Sequence, residues 1–473
     1  MITMTRSKVR QVRLVFRRAL RLNGRDAGPC IVLAAGPDGL RVQAQNSQAA
    51  VQYHAPGEFP PERICVPFSL LADCEGTNAE PVAVELDRNG SVTAQWTDNQ
   101  IPQLLRYDSA AGKVPVFPAV PAAMAENDVR LWRALADAMD TTDTDSVRLA
   151  TNCVQLRSNG AKIVATDGRQ LLVQKGFNFS WEGDVLVPRN RLFGCKELAS
   201  EGPLRIGLSE DWLTLQTGPW TFHLAVSKES RFPKTEDFVQ RPDMAIARLQ
   251  LAPSDAAFLA DALQRLPCGE DDLNHAVTVD LNGQVVVRAQ ANGSRAPTEL
   301  VLSRSTSSGE NLRFVTDRNY LARALKLGFC DVCLYGTESP VQAFGDDRAY
   351  IWAPLSQDGA IKPNNKAVRI ASDDGQSPPC STEPSPPIRR VTAMSRSTRP
   401  QNPIADENEN GNGQPDAAGS LDAIEKAEAL RSTLRAALGQ ISELISALKQ
   451  QKKTTRSVQS ALATLRQLGQ VAL

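Results

Sequence analysis

Side chains that commonly carry out catalysis are scarce in this sequence. The three histidines, His54, His223 and His275, all lie within runs typical of β-strands, where a structural role is more common than a role as a base. Neither of the glycine-rich phosphate-binding motifs G-x-x-x-x-G-K-[ST] and G-x-G-x-x-G occurs. No local pattern marks a Ser-His-Asp triad. We therefore predict that the protein is not an enzyme.

Cys330 and Cys333 form a C-x-x-C pair, which could hold zinc or undergo redox chemistry. A zinc site normally requires a second such pair, and the nine cysteines provide none at suitable spacing. A redox pair normally opens a helix, whereas this pair lies at the start of an apolar strand. The sequence therefore predicts ordinary buried thiols in a reducing compartment, with no metal and no cofactor.

The most prominent charged feature is a basic N-terminal segment. Val9, Val12, Phe16 and Leu20 recur at helical spacing and define one apolar face. The segment 7–22 contains no acidic residue, and its basic residues are Lys8, Arg10, Arg13, Arg17, Arg18 and Arg21. Because the whole chain has 53 basic and 53 acidic residues, a nucleic-acid partner would require such a local basic face. This helix either lies along a phosphate backbone or is a solvated surface helix.

A pattern that the chain repeats determines how its elements are organised. Residues 66–74 read V-P-x-x-x-L-x-x-C, residues 187–195 read the same, and a looser third copy occupies 315–321. Each copy follows a strand-like run and opens a short helix. A period this long indicates one domain built three times. We predict domains at 1–122, 123–243 and 244–356, each an α+β unit with two helices packed on antiparallel β-sheets.

The elements predicted in each unit are a helix, strands, a short helix and further strands. The longer helices are expected near 7–22, at 128–139 and at 255–265, the last capped by Ser254, and the short helices open at the repeated pattern, near residues 67, 189 and 319. The predicted strands are 30–34, 40–45, 50–54, 64–66, 82–86, 91–96, 147–151, 154–157, 162–166, 171–175, 185–187, 204–208, 212–217, 221–226, 276–280, 285–289, 299–303, 312–315, 332–335, 341–344 and 350–353.

The C-terminal part of the chain has a different composition. Residues 357–419 are polar and rich in proline, which predicts a disordered linker. Residues 420–473 carry a heptad-like apolar stripe that predicts a helical, coiled-coil-like tail, although a helical hairpin or a partner-binding helix fits equally well. No run approaches the roughly 20 apolar residues of a membrane span.

Several motifs resemble those of the bacterial DNA sliding clamp, the β subunit of DNA polymerase III. Residues 165–171 read A-T-D-G-R-Q-L, where the family has A-T-D-G-H-R-L. Five further segments resemble the family in the same order, at 185–189, 230–233, 319–321, 339–340 and 350–355. The resemblance implies three similar domains per chain and two chains closed head to tail into a ring.

The resemblance also implies a function and partners. Such a ring encircles duplex DNA without reading its sequence, acts as a processivity factor for the replicative polymerase, requires no cofactor and is opened by a separate clamp loader. A cytoplasmic, nucleoid-associated location follows. The expected DNA-facing residues are Lys8, Arg10, Arg13, Arg17, Arg21, Arg189, Arg318 and Arg323. The polymerase and the loader would bind through a peptide pocket formed by Leu149, Thr166, Gly168, Arg169, Gln170, Leu171, Ile351 and Ala353.

Departures from the family pattern keep a second interpretation open. Arg169 and Gln170 replace a His-Arg pair, Ala353 replaces a methionine, and Ser146 stands where the family has an arginine. Residues 357–473 extend beyond the usual end of the family. The alternative is therefore a divergent paralogue that serves as an interaction scaffold, recruiting partners without being loaded on DNA.

Overall fold

The structure, a computed structural model, describes residues 1–24, 26–109, 116–144, 150–198, 202–228, 231–268, 274–291, 293–294 and 296–372. Several predictions fall outside these ranges. They are Leu149 of the predicted peptide pocket, most of the predicted strand 147–151, the predicted linker from residue 373 onward, and the predicted tail 420–473.

The N-terminal part of the chain forms a set of elements that we call the first repeat. Its elements are β1 (Ile2–Thr5), α1 (Arg6–Ala19), β2 (Ile31–Gly36), β3 (Gly39–Gln45), β4 (Ala49–Ala55), β5 (Glu62–Val66), α2 (Ser69–Cys74), β6 (Pro81–Leu86), β7 (Ser91–Asp98) and β8 (Ile101–Asp108).

The second repeat has short 3-10 helices where the first has α2. Its elements are β9 (Ala125–Asn127), α3 (Arg130–Thr141), β10 (Cys153–Arg157), β11 (Lys162–Thr166), β12 (Gln170–Gln174), β13 (Asp184–Pro188), 3-10 helices at Arg191–Gly194 and Lys196–Leu198, β14 (Leu204–Leu208), β15 (Trp212–Thr217) and β16 (Trp220–Ala225).

The third repeat follows a connector that includes 3-10 helices at Glu236–Phe238 and Pro242–Met244. Its elements are β17 (Ala247–Gln250), α4 (Pro253–Ala262), a 3-10 helix at Leu263–Arg265, β18 (Ala276–Asp280), β19 (Val286–Ala289), β20 (Thr298–Val301), β21 (Thr306–Gly309), β22 (Arg313–Asp317), α5 (Arg318–Lys326), β23 (Asp331–Leu334), β24 (Val341–Phe344), β25 (Arg348–Trp352), a 3-10 helix at Gln357–Gly359 and β26 (Val368–Ala371).

The same strand order occurs in all three repeats. One sheet of each repeat has the order β1-β6-β7-β8, β9-β14-β15-β16 or β17-β23-β24-β25. The other sheet has the order β5-β2-β3-β4, β13-β10-β11-β12 or β22-β18-β19-β20. Pairing within these sets is antiparallel throughout. The fold class predicted from the sequence, repeated α+β units of helices on antiparallel sheets, is thus confirmed.

Neighbouring repeats are joined by antiparallel pairing of their outermost strands. Strand β4 pairs with β16, and β12 pairs with β25, so that each join makes one sheet that crosses two repeats. At the first join, the ring centroid of Trp220 lies 4.9 Å from that of Tyr53 and 6.4 Å from that of Phe16. These aromatic contacts pack β16 against β4 and against α1.

The helices contact one another across the repeats. Helix α1 begins where the side chain of Thr5 accepts a hydrogen bond from the Lys8 amide at 3.2 Å. The predicted apolar stripe of Val9, Val12, Phe16 and Leu20 is buried. Arg6, Val15 and Ala19 of α1 are buried as well. Helix α1 contacts α2 and the 3-10 helix Arg191–Gly194, which in turn contacts α3. None of the helices in the described ranges has the length and apolar character required to cross a membrane.

Two predicted helices differ in the structure. The short helix expected from Arg189 consists of two 3-10 turns, the first capped by Asn190 rather than continuing from the strand. Ser254 does not cap α4, because the helix begins two residues earlier than predicted, at Pro253, and its N-cap is Ala252. Proline is favoured in the first helical turn because its missing N–H has no intrahelical partner there.

Order continues beyond the predicted start of the linker at residue 357. Leu355 forms an isolated bridge with Val315, and β26 pairs in parallel with β20. Strands β1, β8, β9, β17, β21 and β26 were absent from the sequence-based assignment. The predicted linker was therefore wrong at its start, because residues 357–372 include a 3-10 helix and a strand of the third repeat's sheet.

The imidazole of His223 lies fully buried in β16, close to the first join. Its Nδ1 is 2.9 Å from the Thr214 hydroxyl, and among the described residues its Nε2 has no hydrogen-bond partner. Burial lowers the pKa of His223 from 6.5 to about 4, because the charged form loses its hydration.

This burial predicts a pH-dependent stability. Below pH 6.5 His223 becomes protonated in the unfolded chain, whereas in the folded protein it stays neutral down to about pH 4. The free energy of unfolding therefore decreases as the pH is lowered from 6.5 to 4. Between about pH 7.5 and 5 we expect wild type to lose about 2 kcal/mol more unfolding free energy than His223→Gln. Urea denaturation of both proteins across this range measures the difference. Parallel losses would contradict the assignment.

Candidate nucleic-acid interface and partner site

A basic cleft of about 730 Å³ lies between the C-terminal half of α1 and the segment that follows β13. The first and second repeats therefore both contribute to it. Its basic side chains, among the described residues that line it, are Arg17, Arg18, Arg21, Arg189 and Arg191, and the carboxylate among them is Asp140. An excess of guanidinium groups around a concave surface focuses positive potential on it.

Asn190 fixes the two walls of the cleft relative to each other. Its side-chain oxygen accepts a hydrogen bond from the Leu192 amide at 2.9 Å, which caps the 3-10 turn. Its side-chain nitrogen donates to the carbonyl of Ala19, the last residue of α1, also at 2.9 Å. Arg18 adds a second link, since its Nη1 donates to the Gly194 carbonyl at 2.5 Å. Hydrogen bonds therefore connect the two segments that carry the basic side chains, α1 and the 3-10 turn Arg191–Gly194.

The arginines of the cleft differ in how far they are already neutralised. Arg189 donates to the Thr142 carbonyl at 2.8 Å and lies 3.7 Å from a carboxylate oxygen of Asp140. Within the described ranges, no carboxylate lies at ion-pair distance from Arg17, Arg21 or Arg191. Arg21 and Arg191 are exposed and Arg17 is half-buried. These three guanidinium groups are the ones available to an anionic partner.

Two of the other basic residues predicted on α1, Lys8 and Arg13, are less available, whereas Arg10 is not. Arg13 makes an ion pair with Glu75 at 2.7 Å. Lys8 donates to the Gln11 side chain at 2.7 Å and lies 5.0 Å from the ring centroid of Tyr53. Arg10 is exposed. The charge of the helix is thus concentrated at Arg10 and toward its C-terminal end.

The position of Arg318 corrects the expectation that it faces DNA. Its side chain is buried at 3% exposure, and its guanidinium donates to four backbone carbonyls, at His275, Leu263, Leu266 and Pro267. These carbonyls belong to the end of the α4 segment and the approach to β18. Arg318 is therefore a structural residue that ties these segments to α5.

Arg323 also has internal partners, in this case between repeats. Its Nη2 donates to the Asp137 carbonyl at 2.7 Å and to the Thr141 hydroxyl at 2.8 Å, so it links α5 to α3. Its Nε is buried. This geometry indicates a role in holding the second and third repeats together rather than a phosphate contact.

The structure brings most of the predicted peptide-pocket residues together at the second join. Leu171 and Ile351 are cross-strand partners in β12 and β25, and Ala353 donates its amide to the Arg169 carbonyl at 2.9 Å. Gly168 has a φ of 92°, which forms the tight turn between β11 and β12. Gly168, Arg169 and Ala353 are exposed, whereas Leu171 and Ile351 are buried.

Polar side chains of this site are fixed by the join itself. The Thr166 hydroxyl donates to the Gln170 carbonyl at 2.6 Å. Gln170 is buried, and its side-chain oxygen accepts a hydrogen bond from the Tyr350 hydroxyl of the neighbouring repeat at 2.6 Å. Gln170 therefore serves as a connection between repeats.

The apolar part of this site is a small cluster separate from the main cores. It contains Val164, Leu171, Val173, Ala349 and Ile351. The partly buried ring of Phe232, from the connector between the second and third repeats, packs against it. The Arg231 carbonyl accepts a hydrogen bond from the Ala150 amide at 3.0 Å, which anchors this part of the connector. The ring of Phe232 therefore covers part of the apolar cluster at this join.

The candidate metal and redox residues show no assembled site. Cys333 is buried in β23, and burial raises the pKa of its thiol to about 11, which opposes thiolate formation. In the described part of the chain, no group of three His, Cys, Asp or Glu side chains could hold a metal ion.

Two basic residues of the cleft were missing from the predicted set. Arg18 stood in the basic segment, and Arg191 lies two positions after Arg189 in the second copy of the repeated pattern. The arginines clustered in the basic N-terminal segment and around residue 189 could have predicted both residues. What the sequence could not provide was the contact between them, which depends on Asn190.

Comparisons with known proteins show what this fold resembles. No protein-family model matches the sequence, and no curated protein matches it. A solved DNA polymerase sliding clamp from Pseudomonas aeruginosa has a similar structure, at 19% identity and a TM-score of 0.62, over 75% of this chain and 99% of that one. The DNA polymerase III β chain from Streptococcus pneumoniae matches with the same coverage, at 13% identity and a TM-score of 0.63.

A putative DNA polymerase III β subunit from Eubacterium rectale matches at 10% identity and a TM-score of 0.62. These matches span nearly the whole length of each solved clamp. The chain therefore has the bacterial sliding-clamp fold, and the resemblance found in its motifs is confirmed at the level of the fold.

The double role of Asn190 predicts a measurable stability loss. Asn190→Ala removes both the cap of the 3-10 turn and the bond to Ala19, so the unfolding free energy should fall by about 2 kcal/mol, about 1 for each contact. Asn89→Ala, at an exposed turn between β6 and β7, is the control and should change stability by less than about 0.5 kcal/mol. Equal effects in urea denaturation would show that Asn190 has no special role.

Proposed function

We propose that this protein is a non-enzymatic, sliding-clamp-like processivity factor that encircles duplex DNA and tethers a replicative polymerase. The observation that carries the proposal is the strand topology that occurs three times, together with the basic cleft where the first and second repeats meet. The fold match over nearly the full length of solved clamps supports it. The expected location is the cytoplasm, at the nucleoid.

The proposed contact with DNA is electrostatic and independent of sequence. Arg17, Arg21 and Arg191 are the preferred contacts, with Arg10, Arg18 and Arg189 beside them and Lys8 and Arg13 as weaker candidates. Long flexible side chains that reach phosphates hold the duplex while leaving it free to move, because they read no base edges.

The proposed assembly is a head-to-tail pair of chains, each with domains at about 1–122, 123–243 and 244–356. The two joins inside the chain supply the template for the joins between chains. At the first join β4 pairs with β16, and at the second β12 pairs with β25. In both, the fourth strand of one repeat's second sheet pairs with the fourth strand of the next repeat's first sheet. Continuing this rule would pair β20 of one chain with β8 of another.

The proposed partner site is the second join, where polymerase and loader peptides would bind. Leu171 and Ile351 offer apolar contact, Gly168, Arg169 and Ala353 offer an accessible rim, and Thr166 and Gln170 support it. The replacement of larger family side chains by Ala353 and Gln170 favours a peptide of altered sequence.

One observation favours the alternative of a clamp-derived scaffold that is not loaded on DNA. Strand β26 occupies the edge of β20 that a second chain would need. In the scaffold interpretation the chain recruits partners as a monomer through the second join and its C-terminal segment.

Neutralising the available arginines should weaken DNA binding in a salt-dependent way. For the triple variant Arg17→Gln, Arg21→Gln and Arg191→Gln we expect weaker duplex binding at low salt. The slope of log K against log salt concentration should become less steep by about 0.9 per lost phosphate contact, or about 2.7 in total. Fluorescence anisotropy with a labelled duplex of any sequence measures both quantities.

A matched triple variant controls for the change in net charge. Arg41→Gln, Arg63→Gln and Arg88→Gln removes three exposed arginines from the strands and turns of the first repeat. It should retain the wild-type slope. If both variants lose affinity equally, or neither does, the basic cleft is not the DNA-binding site.

A further inference from the structure

The repeat leaves two strand edges that correspond to the paired edges of the internal joins. Strand β20 occupies the position that β4 and β12 hold in their repeats, and β8 occupies the position of β16 and β25. On β8, Ile101 is 62% exposed and Leu104 is 54% exposed. An exposed apolar edge strand is a site for pairing with another chain unless something covers it.

The edge of β20 is covered by β26, which has the wrong direction for the repeat. The internal joins are antiparallel over five residue pairs each, whereas β26 runs parallel to β20 over four pairs, from Thr298–Val368 to Val301–Ala371. The amides of Val368 and of Ser372, the residue after β26, donate to the carbonyls of Pro297 and Val301, both at 3.0 Å. These contacts use the backbone groups that an incoming strand would require.

The segment that carries β26 crosses the sheet of the third repeat before it reaches this edge. The Leu355 amide donates to the Val315 carbonyl in β22 at 2.9 Å. The Ile361 amide then donates to the buried Thr278 hydroxyl in β18, also at 2.9 Å. The strap, which we define as residues 355–372, is thus fastened at one edge, in the middle and at the opposite edge of the sheet.

A row of polar and charged side chains ends at the strap. Thr278, Arg288, Glu299 and Arg369 are successive cross-strand partners and therefore share one face of the sheet. The buried Glu299 carboxylate accepts from Arg288 Nε at 2.6 Å and pairs with Arg369 Nε at 3.1 Å. Glu299 is thus paired with two arginines, and without Arg369 it would be paired with Arg288 alone.

The strap is bound less deeply than the strands beneath it. Val368 is 59% exposed and Ile370 is 41% exposed, so β26 contributes little buried apolar area. Arg106 on β8 is an exposed arginine, as Arg369 on β26 is. A second β8 therefore offers the same kinds of group as the strap, which are backbone donors and acceptors and a guanidinium.

We propose that the strap is an autoinhibitory edge cap, which occupies the β20 edge that the head-to-tail assembly proposed above would pair with β8 of a second copy of this chain. In the isolated chain β26 fills this site. When the strap detaches, β8 of the second copy pairs antiparallel with β20 and the assembly can close. The identity of the occupant rests on the proposed function, whereas the covering of the edge does not.

Two independent changes in the full chain test the cap. Val368→Pro with Ile370→Pro removes amide donors that face β20, and Arg369→Glu places a like charge beside Glu299. Matched controls are Ala371→Pro, whose amide faces away from β20, and Lys366→Glu, an exposed residue outside β26. Sedimentation velocity should show tighter self-association, with an apparent dimer Kd lower by roughly tenfold or more, in both uncapped variants and in neither control.

The opposite results are equally informative. If the uncapped variants associate no more tightly than wild type while circular dichroism shows them folded, the strap is not a cap. If they associate less tightly, β26 is itself part of the interface, and the inference is also overturned.

A third variant separates this inference from the proposed function. Leu105→Glu on β8, added to Arg369→Glu, should abolish the gained dimer. If the dimer persists, the released edge pairs with something other than β8. In that case the cap stands and the head-to-tail assembly falls. Duplex affinity measured on the arginine variants is unaffected by either outcome.

Discussion

Pairing of strand edges is the constraint on which the rest of this structure depends. Each repeat ends its sheets in strands whose backbone groups need partners, and β4–β16 and β12–β25 meet that need between repeats. Every site described here follows from these joins. The first brings α1 against the segment after β13 and creates the basic cleft, and the second brings Leu171 beside Ile351. The edges left at β20 and β8 determine how the chain can assemble.

The charge distribution explains why a neutral chain can carry a basic site. Many of its arginines form ion pairs or hydrogen bonds within the chain. Arg13 pairs with Glu75, Arg318 caps carbonyls and Arg288 bridges Asp280 and Glu299. The guanidinium groups that remain accessible around the cleft lie where two repeats meet. Folding therefore produces a local positive electrostatic potential although the chain as a whole is neutral.

The sequence predicted the elements that repeat a strong local pattern. Helix α1 and strands such as β11, β14 and β24 were predicted because their apolar spacing and flanking turns leave little choice. Strands β8 and β26 were missed because edge strands are exposed and lack a buried alternation. The error at Arg318 has a different cause. Its carbonyl partners lie about 50 residues earlier in the chain, and no local pattern distinguishes a buried guanidinium from an exposed one.

The central claim, that two copies of this chain enclose duplex DNA, is tested most directly by topology. The uncapped chain is incubated with circular duplex, cross-linked through cysteines introduced in β8 and β20, and washed at high salt to remove electrostatic binding. We predict that protein stays on the circle and is released when the DNA is cut once. Protein that leaves the intact circle at high salt, or that stays on the linear product, would contradict the account.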